Sequence, residues 1–307
     1  MRRFLIGWIL IVLLLPFAAA WFYHEWDEKN SRIEQETSSL QIEIQGDGEY
    51  RLGVTDYLTG AVAAQIPADF EMETLKAQAV LARTCLYRRS GSKMLMDASD
   101  IGLTWLDESD RKQLWGISYQ ENNTKIHQAV QETDGQILYY GGQMILPAWF
   151  FVGNGMTRSG KEALGEEIPW LQQVESKWDL ESENYQTEVA MTKKQMIRLL
   201  KQDCPDFVCT PDSLAMNCGI TSVDSAGYVL ELQVGNQILS GEEFRYALNL
   251  PSACFKIAFE GKQVWLTVYG QGNGLGFDQY GANRQAKEGK NYEQLLEYYL
   301  TGVKVGE

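Results

Sequence analysis

Apolar spacing along the chain changes period several times, and each change predicts an element. "LQIEIQ" alternates apolar and polar residues, as a half-buried strand does, with Leu40, Ile42 and Ile44 inward and "GDGE" as the turn that follows. "GVTDYLTGAVAAQI" has helical spacing, with Thr55 as N-cap and Tyr57, Leu58, Ala61 and Val62 on one face. Gln65 falls nearly in line with Leu58 on that inner stripe, and Pro67 stops the helix. A second helix is expected from near Ala68 or Asp69, with the stripe Leu75, Ala79, Ala82 and Leu86, and with Lys76, Arg83 and Arg88 opposite. Its alanines imply close packing, and Gly91 is its stop.

Further on, "GQILYYGGQMILPAWFF" shifts to a period of two and predicts a hairpin turning at Gly141-Gly142. Residues 190–203 read as a surface helix. From Ile220 to Tyr269 the pattern is strand-rich, in "YVLELQV", "ACFKIAFE" and "QVWLTVYG". "NYEQLLEYYL" closes the chain as a helix capped by Asn291. The expected fold class is a mixed α+β extracytoplasmic domain, in one lobe or two, after a single N-terminal transmembrane helix. Residues 1–26 form the anchor, 27–39 a polar stalk and 40–305 the folded domain.

The anchor rests on 20 residues, Phe4 to Tyr23, without a charge, which is the length of a membrane-spanning helix. Arg2 and Arg3 precede the run and Glu25, Asp27 and Glu28 follow it. The positive-inside rule then puts the N-terminus in the cytoplasm and the rest outside, as a single-pass protein of the cell membrane. A cleaved signal peptide, with "FAAA" near the cleavage site, is the competing reading. Bulky Trp21 and Phe22 extending the run favour the anchor.

A net charge of −14 and a pI near 4.7 exclude a nucleic-acid partner, since no basic face is available for phosphates. His24 and His127 are the only histidines, so a histidine-rich metal centre is excluded, and a Ser-His-Asp mechanism is disfavoured because His24 lies beside the apolar N-terminal run. No cofactor is implied, and no metal. The cysteines at 85, 204, 209, 218 and 254 form no Cys-x-x-Cys pair. They read either as buried free thiols or as one disulfide with the remainder free.

Two glycine-rich segments stand out. "YGQGNGLGFDQYGANRQA" lacks the setting of a dinucleotide fingerprint and reads as a tight loop whose backbone approaches something closely, edged by Asn273, Asp278, Gln279 and Tyr280. "FFVGNGMTRSGKEALGEEIPW" adds Asn154, Thr157, Arg158 and Ser159. Amides, hydroxyls and aromatics suit a carbohydrate, and are also ordinary loop composition.

"YLTGAVAAQIPADFEMETLKAQAVLARTCLY" resembles the hallmark stretch of the stage II sporulation protein D family, whose domain also forms the N-terminal part of the amidase enhancer. Three further blocks match in order: "AWFFVGNGMTRSGKEALGEEIPWLQQVESKWD", "LSGEEFRYALNLPSACFKI" and "GQGNGLGFDQYGANRQAKEGKNYEQLLEYY". The resemblance implies a peptidoglycan-binding protein of forespore engulfment. It would act on glycan strands beside a cell-wall amidase and another membrane protein.

The family's lytic transglycosylases protonate the glycosidic oxygen with a glutamate, and Gln65 occupies that position here. Asn273 stands where the family has histidine in Gly-His-Gly, and "MDASDIGLTWLD" lacks the zinc cluster of some members. The resemblance assigns Lys76, Gln78, Arg83, Asn154, Thr157, Asn273, Gln279 and Tyr280 to the substrate groove. It also marks Gln65 as the catalytic position. An amide donates a hydrogen bond but no proton, so catalysis is expected to be reduced or absent. Two alternatives remain. One is an active transglycosylase using another carboxylate (Asp69, Glu71, Glu73 or Asp278). The other is a structural partner of a cell-wall hydrolase complex.

Overall fold

A computed structural model describes residues 40–44, 50–91 and 93–306. The anchor (1–26), the stalk (27–39) and the "GDGE" turn lie outside the described residues. Among the described residues, no helix is long and apolar enough to cross a membrane. The fold is mixed α+β, with helices interleaved among small sheets.

The described residues divide into two compact units, one drawn from the segments before residue 58 and from 89 to 103, the other from 58 to 88 and from 104 onward. In the first, strand Gln41–Ile44 lies between antiparallel Tyr50–Gly53 and parallel Leu95–Asp97. Leu40, Ile42 and Ile44 are all buried there, as their alternation requires. Asp97 caps the short helix Ala98–Ile101 by accepting from the Ser99 amide at 2.8 Å.

The second unit carries one core around the antiparallel sheet Phe255–Glu260, Gln263–Tyr269 and Gln186–Thr192. Val264, Leu266 and Val268 point inward at 0% exposure while Trp265 faces out at 41%. Burying each such side chain contributes roughly 1.5–3 kcal/mol. The sheet Cys218–Val223, Val229–Val234 and Gln237–Ser240 shares that core with helices Lys193–Asp203 and Gly241–Leu248. A second core joins Ala77, Val80 and Leu81 of helix Met72–Ser90 to Leu138, Phe277, Leu295, Leu296 and Tyr299.

Several sequence expectations meet the structure directly. Leu75, Ala79, Ala82 and Leu86 are fully buried. Tyr140 pairs with Gln143 across Gly141-Gly142, whose φ values of 57° and 79° are those of a tight primed turn. Asn291 caps helix Tyr292–Tyr299 in a reciprocal capping box with Gln294.

Other expectations are corrected. Thr55 lies inside the helix Val54–Gln65 rather than at its cap. The second helix begins at Met72, because Pro67–Phe70 is spent on a turn in which the Phe70 amide donates to the Pro67 carbonyl at 3.2 Å. Residues 190–192 end a strand paired with Gln263–Trp265, and Thr192 then caps Lys193–Asp203. Helices Glu108–Trp115, Tyr119–Glu132 and Gly241–Leu248 were not expected from the pattern. All five cysteines are free, and burial pushes the Cys218 thiol up to about 12.

Candidate functional site

Helix Val54–Gln65 ends at the residue that its stripe marks as polar, and Pro67 forbids another turn. The end is positioned from behind by helix Gln279–Lys287, whose Asn283 accepts from the Glu71 amide at 2.7 Å. Three amides then meet. Gln78, fully buried, donates from Nε2 to Gln65 Oε1 at 2.8 Å. Gln279 Nε2 donates to Gln78 Oε1 at 3.0 Å and to the Gln65 carbonyl at 2.9 Å. The side-chain oxygens of Gln65 and Gln78 each have a donor. One donor remains: Gln65 Nε2 is shut from solvent and has no partner.

A cavity of about 600 Å³ opens at this helix end. Its polar wall consists of the amides Gln65, Asn122, Asn184 and Gln271 together with the carboxylate of Asp69. Leu114, Trp115 and Phe151 supply apolar surface, and the Phe151 ring stacks on Phe70 with centroids 6.2 Å apart. Among the described residues, no lysine, arginine or histidine lines it. Flat apolar faces with amide edges match a saccharide ring, which has apolar faces and a hydroxyl rim.

The structure brings Gln65, Gln78 and Gln279 together, with Gln65 on the cavity wall and the other two behind it. The Tyr280 amide donates to the Phe151 carbonyl at 2.9 Å, which ties the glycine-rich segment to the wall. The other expected groove residues do not line the cavity. Lys76 pairs with Glu73 at 2.9 Å and Glu132 at 2.7 Å. Arg83, expected opposite the alanine stripe, is fully buried. It donates to the carbonyls of Thr133 at 2.6 Å and Val130 at 2.7 Å, and desolvation lowers its pKa.

Asn154 donates to the Ala226 carbonyl at 2.5 Å, and buried Thr157 exchanges bonds with Val174 and Gln172. The Asn273 side chain closes a turn onto the Leu275 amide at 2.9 Å. These groups satisfy buried backbone that loops cannot satisfy alone. Of the carboxylates weighed from sequence, Asp69 alone lines the cavity. Glu73 holds the Tyr292 amide at 2.9 Å, and the Glu71 backbone amide is bound by Asn283.

Asp278 is fully buried as the N-cap of helix Gln279–Lys287, with Gly281 donating to it at 3.1 Å. Burial and the neighbouring Asp179 carboxyl push its pKa well above the ordinary value of 3.8. Ser176 Oγ donates to Asp278 at 2.7 Å and lies 3.0 Å from the Tyr299 hydroxyl. This cluster pins the 153–155 and 176–179 loops, because Gly155 also donates to Asp179 at 3.1 Å. No Cβ fits at Gly281, where it would lie 2.3 Å from both Ser176 Oγ and Tyr299 Oη.

Trp115, Asn122, Asn184 and Gln271 were not singled out from sequence. The available signal was the apolar group Leu114, Trp115 and Ile117 in an otherwise polar run. Leu114 and Ile117 stay 61% and 106% exposed, as no core-forming stripe would.

A mixed α+β chain with an amide-walled cavity at a helix end thus stands beside the following matches. The family model described as "Stage II sporulation protein" matches residues 49–140. Stage II sporulation protein D of Bacillus subtilis is 33% identical over 260 residues, covering 82% of this chain and 74% of the relative. Its counterpart in Bacillus amyloliquefaciens is 31% identical, with the same coverage. The amidase enhancer of B. subtilis is 24% identical over 89% of this chain but only 46% of its own length. The chain belongs to the stage II sporulation protein D family.

Proposed function

We propose that this chain is a membrane-anchored, extracytoplasmic sporulation protein. In this reading it binds peptidoglycan glycan strands in the cavity at Gln65 and supports a cell-wall amidase and a second membrane protein of engulfment, with little or no bond cleavage of its own. The observation that carries this reading is the Gln279–Gln78–Gln65 relay. It holds an amide at the cavity wall, at the position where the family's resemblance implies a glutamate. An amide has no proton to deliver, so a general acid's share of the rate, typically ~10²–10⁴-fold, is forgone.

The surroundings still suit an acid. A carboxyl group at 65 would keep the Gln78 donor on one oxygen and find no donor or cation for the other. Desolvation would then favour its protonated form. The test incubates the detergent-solubilised full chain, beside Gln65→Glu, with denuded glycan strands and follows anhydromuramyl products. Binding without turnover in the natural chain, with turnover gained in the variant, supports the reading, and turnover by the natural chain refutes it. A second reading, catalysis by Asp69, draws on its place as the one carboxylate on the cavity wall. It requires turnover by the natural chain that disappears in Asp69→Asn.

A further inference from the structure

The charge of this cavity is unbalanced. Its wall holds four amides and two aromatic rings, and among the described residues Asp69 is its only ionisable side chain. Asp69 is exposed, and among the described residues it has no hydrogen-bond or ion-pair partner. An unpaired carboxylate beside aromatic surface attracts a cation borne on a ring-shaped ligand and repels a carboxylate or phosphate. The geometry points to Asp69 as a specificity-determining residue. It would select glycan carrying a free primary amine, a de-N-acetylated amino sugar, over the fully N-acetylated form. This inference rests on the glycan-binding reading above.

An amine has two sources in such a polymer, the sugar ring and the diamino acid of a stem peptide. The ring is favoured because the ammonium would be presented on the same saccharide that the Trp115 and Phe151 faces accept. A stem peptide also brings carboxylates of its own toward Asp69.

The experiment measures binding by titration calorimetry on the detergent-solubilised full chain at about pH 6, below the usual pKa of an amine. Its probes are short glucosamine oligomers, the matching N-acetylglucosamine oligomers and a lysine-ended peptide. The natural chain should bind the glucosamine oligomer about two- to fivefold tighter than its acetylated form, the range of one solvent-accessible ion pair. That preference should shrink as salt is raised. It should vanish in Asp69→Asn, while Asp212→Asn, which changes net charge equally outside the cavity, retains it.

Equal preference in Asp69→Asn and the natural chain would overturn the assignment, because the attraction would then come from the whole acidic surface. Tighter binding of the acetylated oligomer would do the same. Tighter binding of the peptide than of the glucosamine oligomer would overturn the choice of sugar. If no oligomer binds in any form, the glycan-binding reading itself fails, and that outcome is distinct from the others.

Discussion

Replacing Asp278 by asparagine should remove a pH dependence from the stability of the fold. Asp278 and Asp179 are both fully buried and near each other, and Ser176 Oγ lies 2.7 Å from one and 3.4 Å from the other. Two carboxylates so placed cannot both ionise cheaply, so the folded pair keeps a proton that the unfolded chain gives up near the ordinary value of 3.8. The folded state therefore binds more protons than the unfolded state. Stability is highest below the unfolded pKa and falls as pH rises, until the folded pair itself titrates.

The slope from one retained proton is about 1.4 kcal/mol per pH unit. For a unit of this size it corresponds to about 3–5 °C of melting temperature per pH unit. Asparagine keeps the oxygen that accepts from the Gly281 amide and offers Asp179 a permanent donor. The variant should match or exceed the natural chain in stability, by a margin that widens with pH. Thermal melts of both proteins at constant ionic strength, from about pH 5 to about pH 8, read this directly. Parallel melting curves across that range would refute the shared proton. Asp278→Ala serves as the contrast: it removes the helix cap and strands Ser176, so at the acid end of the range, where the shared proton costs the natural chain least, it should be about 1–3 kcal/mol less stable.

Two further outcomes separate binding from architecture. Trp115→Ala should weaken glycan binding about three- to tenfold through loss of ring stacking while leaving the melting temperature nearly unchanged, measured by calorimetry beside a melt. Arg83→Met should behave in the opposite way. It removes the buried guanidinium donors to the Val130 and Thr133 carbonyls and should lower stability by about 1–3 kcal/mol in denaturant titration, with glycan affinity per folded molecule unchanged.

How far the chain could be read beforehand depended on whether a signal was local. The strand Gln41–Ile44, the Gly141-Gly142 turn and the Asn291 cap each rest on residues within a few positions of one another. Period and capping chemistry therefore located them. Pro67 likewise placed Gln65 at a helix end, and the four ordered family blocks set it at the position of the family's glutamate. Boundaries went astray where two local preferences compete. Thr192 both ends a strand and caps a helix, and periodicity alone assigned its neighbours to the helix.

What sequence could not supply was partnership across long separations. Arg83 and Gln78 sit on one helix with similar polarity, yet one clamps carbonyls 47 and 50 positions away and the other receives its donor from 201 positions away. Asp69, Glu71 and Glu73 were all candidates as letters. Only packing left Asp69 on the cavity wall while Glu73 was drawn into the Lys76 and Tyr292 network.

Sequence by itself thus determined the locally signalled elements, the family resemblance and the amide at position 65, because each depends on neighbours in the chain. Tertiary structure decided which polar groups face the cavity. A buried donor or acceptor must find a partner wherever the fold brings one, and that search is not confined to nearby residues.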